Sequence, residues 1–324
     1  MKKTAPQLVV RIGLSAAVVS VADERPRVLV VHHDKDGDAL PFGPFDPLQH
    51  RTIESGLRTW VGEQTFLDLG YVEQLYTFGD RGRHSLTPGE GPRVVSVGYL
   101  ALTRGAGELK APDTQWRDWY LYFPWEDWRQ QKPAIIDRVI APRLKAFVKS
   151  APALGEERRA RARLCFGLDG LPWDEEKVLE RYELLYEAGL VAEAVRDGRA
   201  AAAEGLPEPA LGASMVFDHR RILATAIARL RGKMKYRPVV FELMPPAFTL
   251  LELQRTVEAL SGVKLHKQNF RRLVEGQGLV ERTGKFSAST RGRPAELFRF
   301  RREIVRERPA PGVRLGARRG SVNG

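Results

Sequence analysis

The spacing of apolar residues near the C-terminal end of the chain predicts a helix with one buried face. Leu250, Leu253 and Val257 recur three or four positions apart, which places them on one side of a helix. Thr249 is followed three residues later by Glu252, a capping box that supplies partners for the free N–H groups at a helix start. The pattern therefore predicts a helix that begins directly after Thr249.

The next periodic stretch, residues 267–275, predicts a second helix with two different faces. Phe270 and Val274 share an apolar side, while basic and amide side chains occupy the other. Residues 279–300 then have the pattern of two strands joined by a basic loop. Two short helices followed by a basic hairpin are typical of a winged helix-turn-helix. In such a domain the second helix enters the major groove of DNA and the wing follows the backbone.

The distribution of charge supports this interpretation. Residues 215–324 hold 24 Lys and Arg against 9 Asp and Glu, a net of +15, so the other 214 residues carry −3 of the chain's +12. A near-neutral body with a strongly basic end is typical of a nucleic-acid-binding module attached to another domain. A charged helix face is by itself usually only solvated, so the concentration of charge is what favours DNA. The residues expected to contact DNA are Thr249, Lys264, Lys267, Gln268, Asn269, Arg271, Arg272, Lys285, Arg291 and Arg293.

The first two hundred residues have the pattern of a mixed α/β layer. Runs rich in β-branched residues predict strands, and apolar residues at helical spacing predict helices between and after them. The expected strands are 7–21, 27–32, 69–78 and 94–102, and the expected helices are 50–65, 133–150 with a kink at Pro142, 173–196 and 218–233. The proline-rich run 40–47 is expected to form no regular structure, and 236–244 is expected to be a strand or extended segment.

Composition excludes several classes of protein. The single cysteine, Cys165, excludes an internal disulfide framework and a cysteine-based zinc site, and it is expected to pack as a small apolar residue. No run approaches the roughly 20 apolar residues of a membrane span. The start of the chain resembles a secretion signal only weakly, because Arg11 interrupts its apolar stretch. We therefore expect a soluble cytoplasmic protein with no membrane association.

The order of these elements, and the residues in them, resemble the Nudix fold. The Nudix signature is Gly, five residues, Glu, seven residues and then Arg-Glu-x-x-Glu-Glu-x-Gly, which holds a catalytic metal. Here Arg58 takes the arginine position and Glu63 the last glutamate, whereas Thr59, Gly62 and His50 stand where the other glutamates belong. Hydrolysis of a pyrophosphate by this route needs several carboxylates to place Mg²⁺ and activate water. The resemblance therefore implies a Nudix fold that is not an enzyme, with no metal site and no required cofactor.

Together, the two halves of the chain resemble a narrower group. Residues 71–80, Arg81, Arg83 and residues 93–99 resemble ADP-ribose-type Nudix proteins. With the C-terminal module, the chain resembles the Nudix-related regulators of NAD metabolism, the NrtR family and its alphaproteobacterial relative NadQ. The tryptophan-rich insert at residues 116–128 is more similar to the second group. The resemblance implies a ligand-responsive repressor of NAD biosynthesis genes that binds a double-stranded DNA operator as a homodimer.

A Nudix-like domain without catalysis is expected to bind an adenine nucleotide as effector. NAD, ATP and ADP-ribose all remain open, as does the choice between co-repressor and inducer. Arginines would bind the pyrophosphate, and aromatic rings would flank the base. The expected nucleotide-binding residues are Phe42, Phe45, Glu63, Tyr76, Arg81 and Arg83. Core packing is the alternative for each aromatic residue and is favoured for Phe78, and a solvated loop is the alternative for the two arginines.

The predicted fold class is α/β (α+β), a Nudix-like mixed sheet with helices followed by a winged helix-turn-helix domain. The expected divisions are a nucleotide-sensing domain at 1–196, a linker rich in Ala, Gly and Pro at 197–214, the DNA-binding domain at 215–302, and a basic, disordered tail at 303–324. Two other functions stay open. One is a Nudix hydrolase of ADP-ribose or a related nucleotide with an appended DNA-binding domain, which the missing glutamates disfavour. The other is an RNA-binding accessory protein, against which Gln268 and Asn269 favour DNA.

Overall fold

The computed structural model describes residues 10–33, 37–80, 83, 93–106, 109–199, 211–287, 294–307 and 309–313. Within these residues the N-terminal part is a seven-stranded mixed sheet. Its strands are β1 (Val10–Ala22), β2 (Arg25–His33), β3 (Gly37–Ala39), β4 (Phe42–Pro44), β5 (Tyr71–Phe78), β6 (Arg93–Leu102) and β7 (Thr114–Asp118).

The long strand β1 organises this sheet. It runs parallel to β6 from the pair Val10–Arg93 to the pair Val19–Leu102, and antiparallel to β2. The strand order is β3-β2-β1-β6-β5, with β4 pairing with β1 and β7 pairing with β2. Strand β4 lies in the proline-rich run that the sequence analysis expected to be irregular, so that prediction is wrong there. Pro44 ends the strand, a position where a missing N–H is tolerated.

Helix α1 (Ile53–Thr65) covers one face of the sheet. It begins with a capping box formed by Thr52 and Ser55 and ends where Phe66 takes a left-handed conformation. From this helix, Leu57 and Val61 pack against apolar side chains of β1 and β6, and this side of the sheet is called the α1 face. This is the helix predicted at 50–65, and it begins three residues later because Thr52 supplies the cap.

The other face of the sheet carries most of the remaining helices, α2 (Ala141–Lys149), α3 (Gly155–Phe166), α4 (Val178–Glu187), α5 (Ala192–Arg196) and α6 (His219–Met234). The kink expected at Pro142 takes the form of a π-helical turn, Ile136–Ile140, directly before α2. The single helix expected at 173–196 is two helices, because Gly189 has a positive φ. Helix α3 was missed because its sequence, dominated by charged residues, shows little apolar periodicity.

The sheet has one hydrophobic core on the α1 face and a second, larger core on the opposite face, and helix α6 lies in the second. Ile222, Leu223 and Ile227 are fully or almost fully buried and pack with residues of the sheet, of α4 and of the tryptophan-rich insert. Trp119 and Trp125 of the insert are completely buried in the same core. Cys165 and Phe78 also lie in it, which confirms that both are packing residues.

The C-terminal domain contains α7 (Leu250–Ser261), α8 (Lys267–Gly276), β8 (Val280–Phe286), β9 (Glu296–Phe300) and α9 (Ile304–Glu307). The predicted capping box at Thr249 is present, and a left-handed glycine, Gly262, ends α7. An isolated bridge between Phe248 and Phe298 adds a third short strand beside the wing. This arrangement is a winged helix-turn-helix.

Two segments near this domain differ from the predicted pattern. A 3₁₀ helix, Val239–Glu242, lies in the stretch expected to be a strand or extended. The segment after β9, expected to be a disordered tail, contains α9, and Ile304 and Val313 are fully buried. No helix in the described part of the chain is long and apolar enough to cross a membrane.

Candidate functional site

The exposed face of α8 is the strongest candidate for a nucleic-acid interface. Phe270 and Val274 are buried, which fixes the orientation of the helix on the domain. The opposite face is solvent-exposed and carries Lys267, Gln268, Asn269, Arg271 and Arg272. Within the described part of the chain these five side chains form no hydrogen bond or ion pair. Their donors are therefore available for phosphate oxygens and base edges.

A buried carboxylate holds the turn between α7 and α8. Glu258 accepts a hydrogen bond from the backbone N–H of Leu265 at 2.9 Å and one from Gln254 Nε2 at 2.9 Å. Gln254 Nε2 also donates to Leu265 O at 3.0 Å. Lys264 Nζ lies 3.1 Å from Glu258 Oε2, so this predicted DNA contact is tied to the turn although its side chain is largely exposed. The turn is rigid, and the direction of α8 follows from it.

The remaining predicted DNA contacts differ in their surroundings. The hydroxyl of Thr249 accepts from the N–H of Glu252 at 3.2 Å and donates to Glu252 Oε2 at 3.0 Å, so this side chain starts α7 and does not present a free donor. Lys285 is exposed near the end of β8. Arg291 and Arg293 lie outside the described residues. The described wing therefore contributes Lys285 as its available cation, next to the exposed ring of Phe286.

The Nudix-like helix α1 uses its arginine structurally. Arg58 donates to the carbonyl oxygens of Leu69 and Gly70 and pairs with Glu54, so it ties the helix to the segment that leads into β5. Thr59 donates its hydroxyl to Ser55 O at 3.0 Å. Neither interaction places a carboxylate where a metal could bind.

The other positions of the signature offer little to a cation. A Cβ at Gly62 would meet no atom within 4 Å, so that position faces open space. His50 is buried, packs against Gly56 and Trp60, and accepts a hydrogen bond from the N–H of Asp46 at 3.1 Å. Among the residues the structure describes, no group of three or more His, Cys, Asp or Glu could hold a metal ion.

The predicted nucleotide-binding aromatics do not come together in one place. Phe42 faces α6, with its ring centroid 5.0 Å from that of His219. Phe45 packs on the opposite, α1 face beside His50. Tyr76 is exposed and touches Phe78 edge-on. Glu63 is an exposed residue of α1. Arg81 lies outside the described residues.

Arg83 is the predicted nucleotide-binding residue with the most elaborate surroundings. Only 7% of it is exposed, and its two terminal nitrogens donate to the two carboxylate oxygens of Glu183 at 3.0 and 3.2 Å. Asp218 lies 3.8 Å away, and the guanidinium stacks 3.6 Å above the ring of Tyr186. Burial lowers the pKa of Arg83, but Glu183 and Asp218 more than offset it, so its pKa is raised overall. A solvated loop arginine is therefore excluded.

Arg83 lines a cavity of 520 Å³ at the junction of α3, α4 and α6. The lining consists of four arginines, four carboxylates and a tyrosine: Arg83, Arg161, Arg199, Arg221, Asp80, Glu183, Glu187, Asp197 and Tyr186. Arg161 pairs with Glu187 at 2.7 Å, whereas Arg199 forms no ion pair with any described residue. Guanidinium groups are common donors to phosphate oxygens, and in this lining four carboxylates balance the charge of the four arginines.

The sequence analysis missed Arg161, Arg199 and Arg221 as members of this cavity. Arg161 lies in α3, Arg221 in α6 and Arg199 just after α5, and no local sequence pattern links the three. Arg221 pairs with Asp80 at 2.5 Å and with Asp218 at 3.2 Å. Burial raises the pKa of Asp218 to about 7, although Arg83 and Arg221 lower it. Asp218 does not itself line the cavity, but it is a buried carboxyl group with a raised pKa directly beside the lining residues Arg83 and Arg221.

The chain has recognisable relatives. Residues 240–300 match the NrtR DNA-binding winged helix domain. Over 93 residues, 29% of this chain, the sequence is 43% identical to the ADPR responsive transcriptional repressor NtrR of Acinetobacter baylyi, and the match spans 37% of that relative's length.

Two solved structures have a similar fold over nearly the whole chain. NrtR of Shewanella oneidensis complexed with a 27mer DNA has a TM-score of 0.51 at 20% identity, with 91% of this chain and 95% of that chain covered. A MutT/nudix family protein from Enterococcus faecalis has a TM-score of 0.50 at 15% identity, with 93% and 90% covered. These findings confirm a Nudix-like sheet followed by a winged helix domain, and they confirm the resemblance to the NrtR regulators.

Proposed function

We propose that this chain, which joins a Nudix-like fold to a winged helix domain of the NrtR type, is a DNA-binding transcriptional repressor that responds to an adenine nucleotide. The observation that carries the proposal is the exposed face of α8, where five basic and amide side chains have no partner among the described residues. The buried residues Phe270 and Val274 hold that face outward. A recognition helix positioned in this way is suited to the major groove.

The Arg83 cavity is the proposed effector site. ADP-ribose is the first candidate because the relative from Acinetobacter baylyi is ADPR responsive by name, and NAD and ATP are the other candidates. Arg83 already binds the carboxylate of Glu183. A ligand phosphate that binds Arg83 must therefore either displace that carboxylate or share Arg83 with it. Binding would change the contact between Arg83 and Glu183 of α4, which gives the ligand a way to act on the rest of the protein.

The same proposal excludes hydrolysis as the role of the Nudix-like domain. Thr59 and Gly62 occupy glutamate positions of the Nudix signature, and Thr59 uses its hydroxyl within α1. With Glu63 as the carboxylate left in the signature, the site lacks the donors that hold Mg²⁺ against a pyrophosphate. The domain would therefore bind its nucleotide without cleaving it and needs no cofactor.

Operator binding is proposed to require a homodimer, because operators with two-fold symmetry are recognised by two-fold symmetric proteins. The proposed setting is the cytoplasm, and the proposed targets are genes of NAD synthesis. The proposed sensing domain is 1–196, the linker 197–214 and the DNA-binding domain 215–302, of which 240–300 match the winged helix domain.

The test uses full-length protein. Double-stranded operators are selected from random DNA by this protein, and their dissociation constants are measured by fluorescence anisotropy at fixed salt, with and without ADP-ribose, NAD or ATP. We expect a selected sequence to bind far more tightly than bulk competitor DNA, and one nucleotide to change that affinity. Equal binding to all sequences would refute the repressor, and release of AMP in the presence of Mg²⁺ would favour the hydrolase.

A further inference from the structure

The C-terminal end of α7 is held by groups from outside the winged helix domain. Three carbonyl oxygens at this end accept hydrogen bonds from residues of the insert and of α6. They are Ala259 O from Tyr120 Oη at 2.7 Å, Leu260 O from Arg231 Nε at 2.9 Å, and Gly262 O from Trp128 N at 2.7 Å. Carbonyls at the end of a helix lack partners within it. Here the partners come from the tryptophan-rich insert and from α6, both of which precede the matched winged helix residues 240–300.

Glu126 of the insert lies at the centre of these contacts. Its carboxylate accepts from Arg181 Nε at 2.6 Å and Nη2 at 2.9 Å, and from Arg231 Nη1 at 2.6 Å. All three side chains are at most 1% exposed. Two guanidinium groups and one carboxylate leave a net positive charge in the core. The negative end of the α7 dipole, at Leu260 O, lies against Arg231 and compensates it.

The geometry leaves little freedom at this point. A Cβ at Gly262 would lie 2.3 Å from Glu126 O and 2.9 Å from Arg231 Nη2, so the insert and α6 approach the backbone of the α7–α8 connection closely. Burial lowers the pKa of Arg231, but Tyr120 and Glu126 more than offset this, so its pKa is raised and the group stays charged. Glu126 is shared between Arg231 and Arg181, so separating Arg231 from Leu260 O would leave the net positive charge of this buried cluster less compensated, which is costly.

The two helices that supply the arginines also line the Arg83 cavity, α4 through Glu183 and α6 through Arg221. Arg181 of α4 is two residues from Glu183, and Arg231 of α6 is ten residues from Arg221. Ten residues of helix span about 15 Å. Helices α4 and α6 pack along each other. A shift of either helix at the Arg83 cavity therefore displaces the arginines that bind Glu126.

We propose that Glu126 is the joint through which a ligand in the Arg83 cavity changes the position of the recognition helix, an inference that rests on the proposed function. A phosphate that draws Arg83 away from Glu183 alters the packing of α4 and α6. Arg181 and Arg231 then move relative to Glu126. The end of α7 must follow because Arg231 is bonded to Leu260 O. Helix α8 starts only a few residues later, so its direction changes.

The experiment measures how strongly effector and DNA influence each other. For each variant, the operator dissociation constant is measured with and without saturating ADP-ribose, and the ratio of the two is the coupling factor. Coupling factors are typically about 5–150-fold. In Glu126→Gln, which keeps the size of the side chain and removes its charge, the factor should fall toward one. Operator binding without ligand, and calorimetric ADP-ribose binding without DNA, should change little.

Two further variants make the result decisive. Tyr120→Phe removes the hydrogen bond to Ala259 O but leaves the ionic contacts, so it should reduce the coupling even if Glu126→Gln is too unstable to measure. Glu176→Gln is the matched control, because its partly exposed carboxylate pairs with Lys235 just beyond α6 and does not touch α7. Its coupling factor should equal that of the wild type.

The possible outcomes separate the two proposals. If neither ADP-ribose, NAD nor ATP changes operator binding by the wild type, the proposed function fails. If the wild type is coupled and both Glu126→Gln and Tyr120→Phe keep the full coupling factor, the proposed role of Glu126 is wrong. The proposed function as an effector-responsive repressor is then unaffected. As a second readout, ADP-ribose should change amide hydrogen exchange at residues 259–266 in the wild type and not in Glu126→Gln.

Discussion

Substitution of either of two residues on α8 should weaken operator binding without loss of stability. Gln268 and Arg271 are exposed and have no partner among the described residues. Removal of a base contact at either position should cost about 1–3 kcal/mol per half-site. Folding stability should stay within about 0.5 kcal/mol, because both lie on the surface and alanine is a good helix former. Phe270→Ala, by contrast, removes a buried ring and should destabilise the fold by about 3–5 kcal/mol.

The measurement is fluorescence anisotropy with a selected operator and with an unrelated duplex, combined with thermal denaturation of each variant. We expect Gln268→Ala and Arg271→Ala to lose affinity for the operator by roughly 5- to 150-fold per half-site. Arg229→Ala is the control for Arg271→Ala. It removes the same charge from a residue of α6 that pairs with Glu73 of β5, away from α8.

Three results would refute this reasoning. Unchanged operator affinity in both α8 variants would show that α8 is not the recognition helix. Equal losses in Arg271→Ala and Arg229→Ala would show that total charge, and not the placement of the guanidinium on α8, determines binding. A loss confined to the unrelated duplex would contradict base recognition as well.

Other consequences of the structure can be checked directly. Lys285→Ala should weaken binding to all duplexes alike and reduce the slope of log K against log salt by about 0.9 per protomer, and an unchanged slope would remove the wing from the interface. Arg83→Ala should weaken calorimetric ADP-ribose binding and destabilise the fold by about 1–3 kcal/mol, because Glu183 and Asp218 lose one partner and keep Arg221 as the other; an unshifted melting temperature would contradict this. Because burial raises the pKa of Asp218 from 3.8 to about 7, the folded protein keeps a proton that the unfolded chain loses. Stability should therefore fall as pH rises between those values, and Asp218→Asn should flatten this part of a urea-denaturation profile. The wild type should release no AMP from ADP-ribose with Mg²⁺ or Mn²⁺. The double variant Thr59→Glu/Gly62→Glu, which restores two glutamates of the signature, tests whether activity is recovered.

The winged helix domain could be predicted from the sequence because its signals are local. The capping box at Thr249, the glycine at Gly262 and the apolar spacing of α7 each depend on residues a few positions apart. The polar face of α8 follows from the same periodicity, since Phe270 and Val274 must be buried. The residues at the signature positions, among them Thr59 and Gly62, could also be read along the chain, because the signature lies on a single loop and helix.

The surroundings of the proposed effector site could not be predicted in this way. Sequence analysis placed Arg83 in a loop beside a pyrophosphate, but its neighbours Glu183 and Asp218 lie 100 or more positions further along the chain. An ion pair between such distant residues leaves no periodic trace, because it depends on how α4 and α6 pack on the sheet. Phe42 and Phe45 were predicted to flank one base as aromatic rings, but the sheet separates them onto opposite faces.

The tryptophan-rich insert shows most clearly the difference between what can be read from the sequence and what depends on how the chain packs. Along the chain it is a cluster of aromatic residues without helical or strand periodicity, which indicates burial but not a partner. Only the tertiary structure reveals that Glu126, an ionisable residue in that cluster, lies between Arg181 and Arg231 and against the end of α7. A charge can be buried only where its counter-charges converge. That convergence is decided by the packing of α4, α6 and α7, and not by any one of their sequences.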